Sequence, residues 1–125
     1  MNIPPCVLVV DDSPTARRVT QHMLSEAGYD VVTADDGDDA IRAFNHHQPD
    51  AVVLDVILPR KNGFQVCRHL KHDVNTDAKV LMLTSKSTEN DQAWGLRQGA
   101  DDYLTKPFEP EQLLDSLERL LSPVH

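Results

Sequence analysis

Three short apolar runs in this 125-residue chain each stop at a charged side chain. Cys6–Val10 leads into Asp11-Asp12, Ala51–Leu54 into Asp55, and Tyr103-Leu104-Thr105 into Lys106-Pro107. Three carboxylates and an ammonium suit phosphoryl chemistry if the chain brings them together. Two carboxylates about 4 Å apart repel by about 4 kcal/mol at an effective dielectric of about 20. Three in one cleft therefore require a counter-charge. Magnesium fits: it takes oxygen ligands, keeps several waters and binds through one or two carboxylates together with phosphate. Asp11, Asp12 and Asp55 are the candidate Mg²⁺ ligands. Lys106 offers a movable point charge for a phosphate oxygen, and Thr84 offers a hydroxyl donor. These are parts for phosphoryl transfer by positioning and charge neutralisation. A carboxylate can also attack phosphorus and carry the group as an aspartyl phosphate. Asp55, at the end of the most apolar run, is the candidate nucleophile.

For these groups to meet, the three runs must be parallel strands of one sheet, because open α/β sheets gather ligands at their carboxyl edge. The hydrophobic pattern supports this. Strands are expected at Cys6–Val10, Val31–Ala34, Ala51–Asp55, Val80–Leu83 with Thr84 at its end, and Tyr103–Thr105. A first helix opens at Ser13-Pro14, Ser as N-cap and Pro in the first turn, and ends at Gly28. Ala16, Val19, Met23 and Ala27 are its expected inner face. Asp36-Gly37 reads as a turn, followed by a helix to about His46 that Pro49 stops. Phe64–His72 reads as a third helix. Thr88 and Asp91 form a capping pair for a helix to Gln98, with Gly99 as terminator. Pro110 opens the last helix, whose stripe is Leu113, Leu114, Leu117, Leu120 and Leu121. Five strand–helix units predict one α/β domain over residues 1–125, a doubly wound parallel five-stranded sheet in three α/β/α layers.

The hydrophobic content of 40% and charged content of 26% suit a soluble globular protein. No apolar stretch reaches the length of a membrane span, and the start lacks the basic and apolar regions of a signal peptide. A cytoplasmic location is the expectation, with no membrane partner. The formal net charge of -8 repels nucleic acid, so direct DNA binding is not expected. Cys6 and Cys67 are too few for a disulfide framework and read as reduced thiols, with a bridge between them as the alternative.

Four stretches carry a resemblance: Val9-Val10-Asp11-Asp12-Ser13; Leu54-Asp55-Val56-Ile57-Leu58-Pro59 with Gly63-Phe64; Leu83-Thr84-Ser85; and Gly99-Ala100-Asp101-Asp102-Tyr103-Leu104-Thr105-Lys106-Pro107-Phe108. In this order they resemble the receiver domain of bacterial two-component response regulators, the stand-alone chemotaxis type included. The resemblance implies a flavodoxin-like (βα)5 fold and a phosphorylation-dependent switch. Asp55 would be the phosphoacceptor, served by a histidine kinase. Asp12 and Asp55 would bind Mg²⁺ directly with the backbone carbonyl of Ile57, and Asp11 through water. Lys106 would pair with the phosphoryl group, Thr84 would swing toward it, and Tyr103 would follow by changing rotamer. The Lys106-Pro107 bond would be cis. Ile57 and Lys86 flank the site where the lifetime of the phosphate is tuned. The downstream protein target would meet the face of the helix before Gly99, the last strand and the last helix. That face includes Tyr103, for which a plain core aromatic is the lesser alternative, and Trp94, which reads equally as a packing residue. Trp94-Gly95-Leu96-Arg97-Gln98-Gly99-Ala100 is similar to regulators of twitching motility and phototaxis. A monomer or weak dimer is expected.

Other readings weigh against this one. Asp11-Asp12-Ser13 alone reads as well as an acidic helix start. A haloacid-dehalogenase-like phosphatase also uses an aspartyl nucleophile and Mg²⁺ but needs an acid two positions later, where this chain has Ile57. A plain flavodoxin-like binder expects a loop that cradles phosphate, whereas Asp11-Asp12 would repel it. A phosphate sink, or a fragment of a longer regulator, is the further alternative. Ser122–His125 ends soon after the last helix, so output is expected through protein contact. His69 and His72 at helical spacing lack an evident third metal ligand.

Overall fold

The computed structural model describes residues 3–74, 76–85, 93 and 96–122. Five parallel strands form one sheet: β1 (Cys6–Val10), β2 (Asp30–Ala34), β3 (Ala51–Asp55), β4 (Lys79–Thr84) and β5 (Asp102–Thr105), in the order β2-β1-β3-β4-β5. The order reverses between β1 and β3, the switch point where such sheets open a crevice. Val10 lies opposite Leu54, and Asp55 opposite Leu83. Asp11 and Asp55 therefore leave neighbouring strands at one level, and Thr84 and Thr105 pair one strand further on.

The continuous apolar runs follow from burial on both faces. Leu8, Val10, Val52, Leu54, Val80 and Met82 pack with Ala40 and Phe44 of α2 (Gly37–His47) and Val66 and Cys67 of α3 (Gly63–Arg68). Val7, Val9, Ala51, Val53, Leu81 and Leu83 pack with Leu24 of α1 (Pro14–Glu26) and Leu113 and Leu117 of α4 (Pro110–Leu121). The result is the doubly wound, three-layer flavodoxin-like α/β fold, with Leu58 of the loop after Asp55 buried in the α2–α3 side of the core.

Several boundaries differ from the expected ones. β2, β4 and β5 each begin one residue earlier, and Thr84 is part of β4. In α1 the buried residues are Thr20 and Leu24, whereas Val19 is 55% exposed and Ala27 is exposed. The inner line runs through Ala16, Thr20 and Leu24, and the hydroxyl of Thr20 hid it from a hydropathy reading. α3 stops at Arg68, and His69–Asp73 forms a π turn. This wider turn, closed by the bond from Val74 N to His69 O, presents Lys71 to Ala78 O at 2.6 Å and Asp101 Oδ2 at 2.8 Å. Thr88, Asp91, Trp94, Gly95 and Lys86 lie outside the described residues. Ala93, Leu96 and Arg97 are helical, and Gly99 follows at φ 101°.

Among the described residues no helix is long and apolar enough to cross a membrane. Cys6 and Cys67 are free thiols, so the bridge alternative falls away. Burial pushes the Cys67 thiol up to about 12.

Candidate functional site

The site lies where β1, β3 and β5 end. Asp11 is buried, 3% exposed, and almost every polar atom it has is engaged. Its N–H donates to Ala34 O, and its Oδ1 accepts from Ser13 N at 2.9 Å. Its carbonyl accepts from Arg17 Nη1 at 2.8 Å, and its Oδ2 from Lys106 Nζ at 3.3 Å. Ser13 is also the N-cap of α1, receiving Ala16 N. One short segment therefore ends a strand, starts a helix and aims a carboxylate. Asp12 beside it is exposed.

Asp55 ends β3 half-buried. Its Oδ2 accepts from Lys106 Nζ at 3.1 Å, and its Oδ1 from Ile57 N at 3.3 Å. Lys106 is held at its own backbone by donation to Thr84 O at 2.6 Å, and the Lys106-Pro107 bond is cis. The loop after Asp55 folds back tightly, with Gly63 N donating to Val56 O at 2.7 Å. A Cβ on Gly63 would stand 2.3 Å from Asp55 O, so only glycine fits there.

Burial raises the Asp55 carboxyl above its ordinary range, and the hydrogen bond and charge of Lys106 offset this only in part. Burial alone would lower Lys106, but its bonds to Asp55 and Asp11 outweigh that and raise it. The ammonium is thus well satisfied while Asp55 remains short of positive charge. Asp11, Asp12 and Asp55 each offer an oxygen, all within 4.8 Å of one another. This hard-oxygen set with residual negative charge fits a small divalent cation such as magnesium. Asp35, Asp36 and Asp39 form a second acidic group. There, Arg60 answers Asp36 and Arg42 answers Asp39.

The structure therefore gathers Asp11, Asp12, Asp55 and Lys106, with the main chain of Ile57 against Asp55. The Ile57 side chain is 62% exposed. Thr84 is buried at the end of β4, the strand adjacent to Asp55. Tyr103 pairs with Met82 and packs on the α2–α3 side of the core, away from the carboxylates. Pro107 follows Lys106 directly. The sequence reading missed Arg17, whose only signal was a cation one helical turn into α1. It also missed the side-chain partners of the loop after Asp55.

Residues 7–118 match the response regulator receiver domain family. The chain is 42% identical over 117 residues to protein PilH of Pseudomonas aeruginosa, covering 93% of this chain and 97% of PilH. It is 42% identical over 115 residues to the alkaline phosphatase synthesis transcriptional regulatory protein PhoP of Bacillus subtilis, covering 92% of this chain and 48% of PhoP. The chain thus spans about half the length of that relative. Among solved structures, chemotaxis protein CheY4 of Vibrio cholerae superposes with a TM-score of 0.90 at 35% identity, covering 95% of this chain and 100% of that one. Sequence, topology and the level at which the charged residues leave their strands agree: this chain belongs to the response regulator receiver domain family.

Proposed function

We propose that this chain is a phosphorylation-controlled switch in which Asp55 takes a phosphoryl group from a histidine kinase and the change in shape regulates a protein partner. Receiver domains are signalling modules of two-component systems, not enzymes that turn over an external substrate. The observation that carries the proposal is Lys106 bridging Asp55 and Asp11 at the carboxyl edge, with Asp12 completing a trio of carboxylates whose oxygens lie within 4.8 Å of one another. In the transfer, an Asp55 oxygen forms the new bond to phosphorus as the phosphorus–nitrogen bond of the donor phosphohistidine breaks. The departing imidazole keeps the electron pair and takes up a proton. Asp12, Asp55 and the Ile57 carbonyl would hold Mg²⁺, with Asp11 acting through bound water, and the ion would supply charge neutralisation at the phosphoryl oxygens.

Lys106 turns from the carboxylates to a phosphoryl oxygen, Thr84 donates its hydroxyl to another, and Tyr103 changes rotamer behind it. A ligand shifts a two-state equilibrium only by its differential contacts. Moving a population from about 1:99 to 99:1 takes about 5.5 kcal/mol. Charge-assisted bonds to Lys106 and Thr84, at about 1.5–3 kcal/mol each, supply most of that.

In this reading residues 1–125 are a single receiver domain, cytoplasmic, monomeric or weakly dimeric, and without direct nucleic-acid or membrane contact. The target meets β5, α4 and the segment before Gly99. The match along nearly all of PilH and the likeness to a chemotaxis protein support a stand-alone regulator of motility or chemosensing. A second reading, a receiver portion of a longer regulator, is favoured by the match to half of PhoP. The test is acetyl phosphate with Mg²⁺. A stoichiometric acid-stable, base-labile adduct that Asp55→Asn abolishes is the expected result. Sustained turnover would favour a phosphatase, and no adduct would reject the proposal.

A further inference from the structure

The loop between Asp55 and α3 rests on the start of α2, and its contacts there are specific. Asp36 is the N-cap of α2: its Oδ1 accepts from Asp39 N at 2.8 Å. Its other oxygen, Oδ2, stands 3.2 Å from Arg60 Nε. The Asp36 side chain is 15% exposed and that of Arg60 67% exposed, so the pair has its carboxylate end largely covered and its guanidinium end toward solvent. Arg60 has φ 69°, in the left-handed region that a residue with a Cβ enters only at a cost.

The next residue, Gly37, completes the seat. Its N–H points to Pro59 O at 3.4 Å. A Cβ on Gly37 would lie 2.3 Å from Lys61 O and 2.5 Å from Lys61 Cβ. The loop therefore occupies the space a side chain would take. At its other end it is tied by Val56 N to Leu83 O and by Gly63 N to Val56 O. Between the tied ends lies Ile57, whose N–H meets the Asp55 carboxylate.

We infer that the Asp36–Arg60 pair and the bare backbone of Gly37 are positioning elements for the metal site, fixing the loop that carries the Ile57 carbonyl beside Asp55. The inference rests on the proposed Mg²⁺ site and names residues outside its ligand set. A left-handed arginine held by a shielded carboxylate is a costly way to make a surface turn. It is a reasonable way to hold a turn in one place. Outer partners that orient metal ligands commonly change affinity by about 10–100-fold when removed. Arg60 acts through the backbone, one step further out, so the lower end applies.

The test is Mg²⁺ titration of the full chain, followed by calorimetry and by the Ile57 amide signal in NMR. Asp36→Asn keeps a good N-cap while removing the charge, and Arg60→Gln keeps an unbranched polar side chain while removing the other charge. Each is expected to weaken Mg²⁺ binding by about tenfold. The double variant is expected to lose no more than either single one, because both remove the same pair. Arg60→Gly, which relieves the left-handed strain, is expected to keep the unfolding temperature yet show the same weakened binding. Affinities equal to wild type in all four variants would overturn the inference alone. Wild-type protein with no saturable Mg²⁺ binding would remove the site reading, and the inference with it.

Discussion

Lys106 Nζ lies 3.1 Å from Asp55 Oδ2, although 51 residues separate the two along the chain. The contact exists because β3 and β5 flank β4 in register and because Lys106 is pinned to Thr84 O. Lys106→Met should leave Asp55 and Asp11 facing each other without their cation. A loss of about 1–2 kcal/mol at neutral pH is expected for the metal-free protein, after allowing for partial solvent screening. The raised Lys106 group adds stability that is complete below its unfolded pKa and lost as pH rises through its folded pKa. Chemical unfolding across the alkaline range should show that loss in wild type and not in Lys106→Met.

Asp55 also loses stability as pH rises, but in the acid range, so that at neutral pH its ionised form is a cost to the folded state. Its folded pKa lies above the ordinary carboxylate range, so in the acid region the folded state holds a proton that the unfolded state has released. Stability from this group therefore falls as pH rises from the unfolded to the folded pKa, and stays low above it. Asp55→Asn removes that cost. Without Mg²⁺ the variant should melt higher than wild type at neutral pH, and the gap should close in acid, where both states are protonated. A gap independent of pH would point to packing instead.

Ile57, two residues after Asp55, stands 62% exposed, and in the proposed switch its side chain would screen the aspartyl phosphate from water. Replacing it with Asn should admit water and shorten the life of the aspartyl phosphate. Decay of labelled phosphoprotein, followed in the presence of Mg²⁺, should run several times faster. An unchanged rate would assign the exposure of Ile57 to some other purpose.

Thr84 is buried next to the site but outside the carboxylate cluster. Thr84→Ala should therefore still accept phosphate at a near-normal level, while the response of the partner surface is blunted. Partner binding by the phosphorylated variant, compared with phosphorylated wild type, is the measurement; equal binding would reject the role.

Gly63 has no room to change. An added Cβ would meet the carbonyl oxygen of Asp55 at 2.3 Å, and backbone cannot step aside as a side chain can. Gly63→Ala should cost about 1–3 kcal/mol or more in urea unfolding and displace Asp55.

The central strands β1, β3 and β4 were readable because they are apolar on both faces, and the carboxylates because each sits where such a run stops. Asp11, Asp12, Asp55 and Lys106 needed only parallel neighbours in register to meet. Residues whose roles depend on tertiary contact were not readable in the same way. Thr20 reads as polar yet lines the core through its helix position. Arg60 reads as a solvated loop cation, and nothing local marks its left-handed backbone or its partner Asp36. The π turn at His69–Asp73 looks like continuing helix, because the pull on Lys71 comes from Asp101, far along the chain. Local pattern reports what a segment prefers alone, and these features arise from what meets it.

The alternation along β3 has a practical consequence. Val52 and Val53 are neighbours, yet one touches the layer of α2 and α3 and the other the layer of α1 and α4. Trimming each to alanine would soften opposite sides of the molecule from nearly the same height on the central strand. The pair is a ready two-channel probe: it can tell whether a chemical event at the strand's tip travels outward through one side of the sandwich or through both.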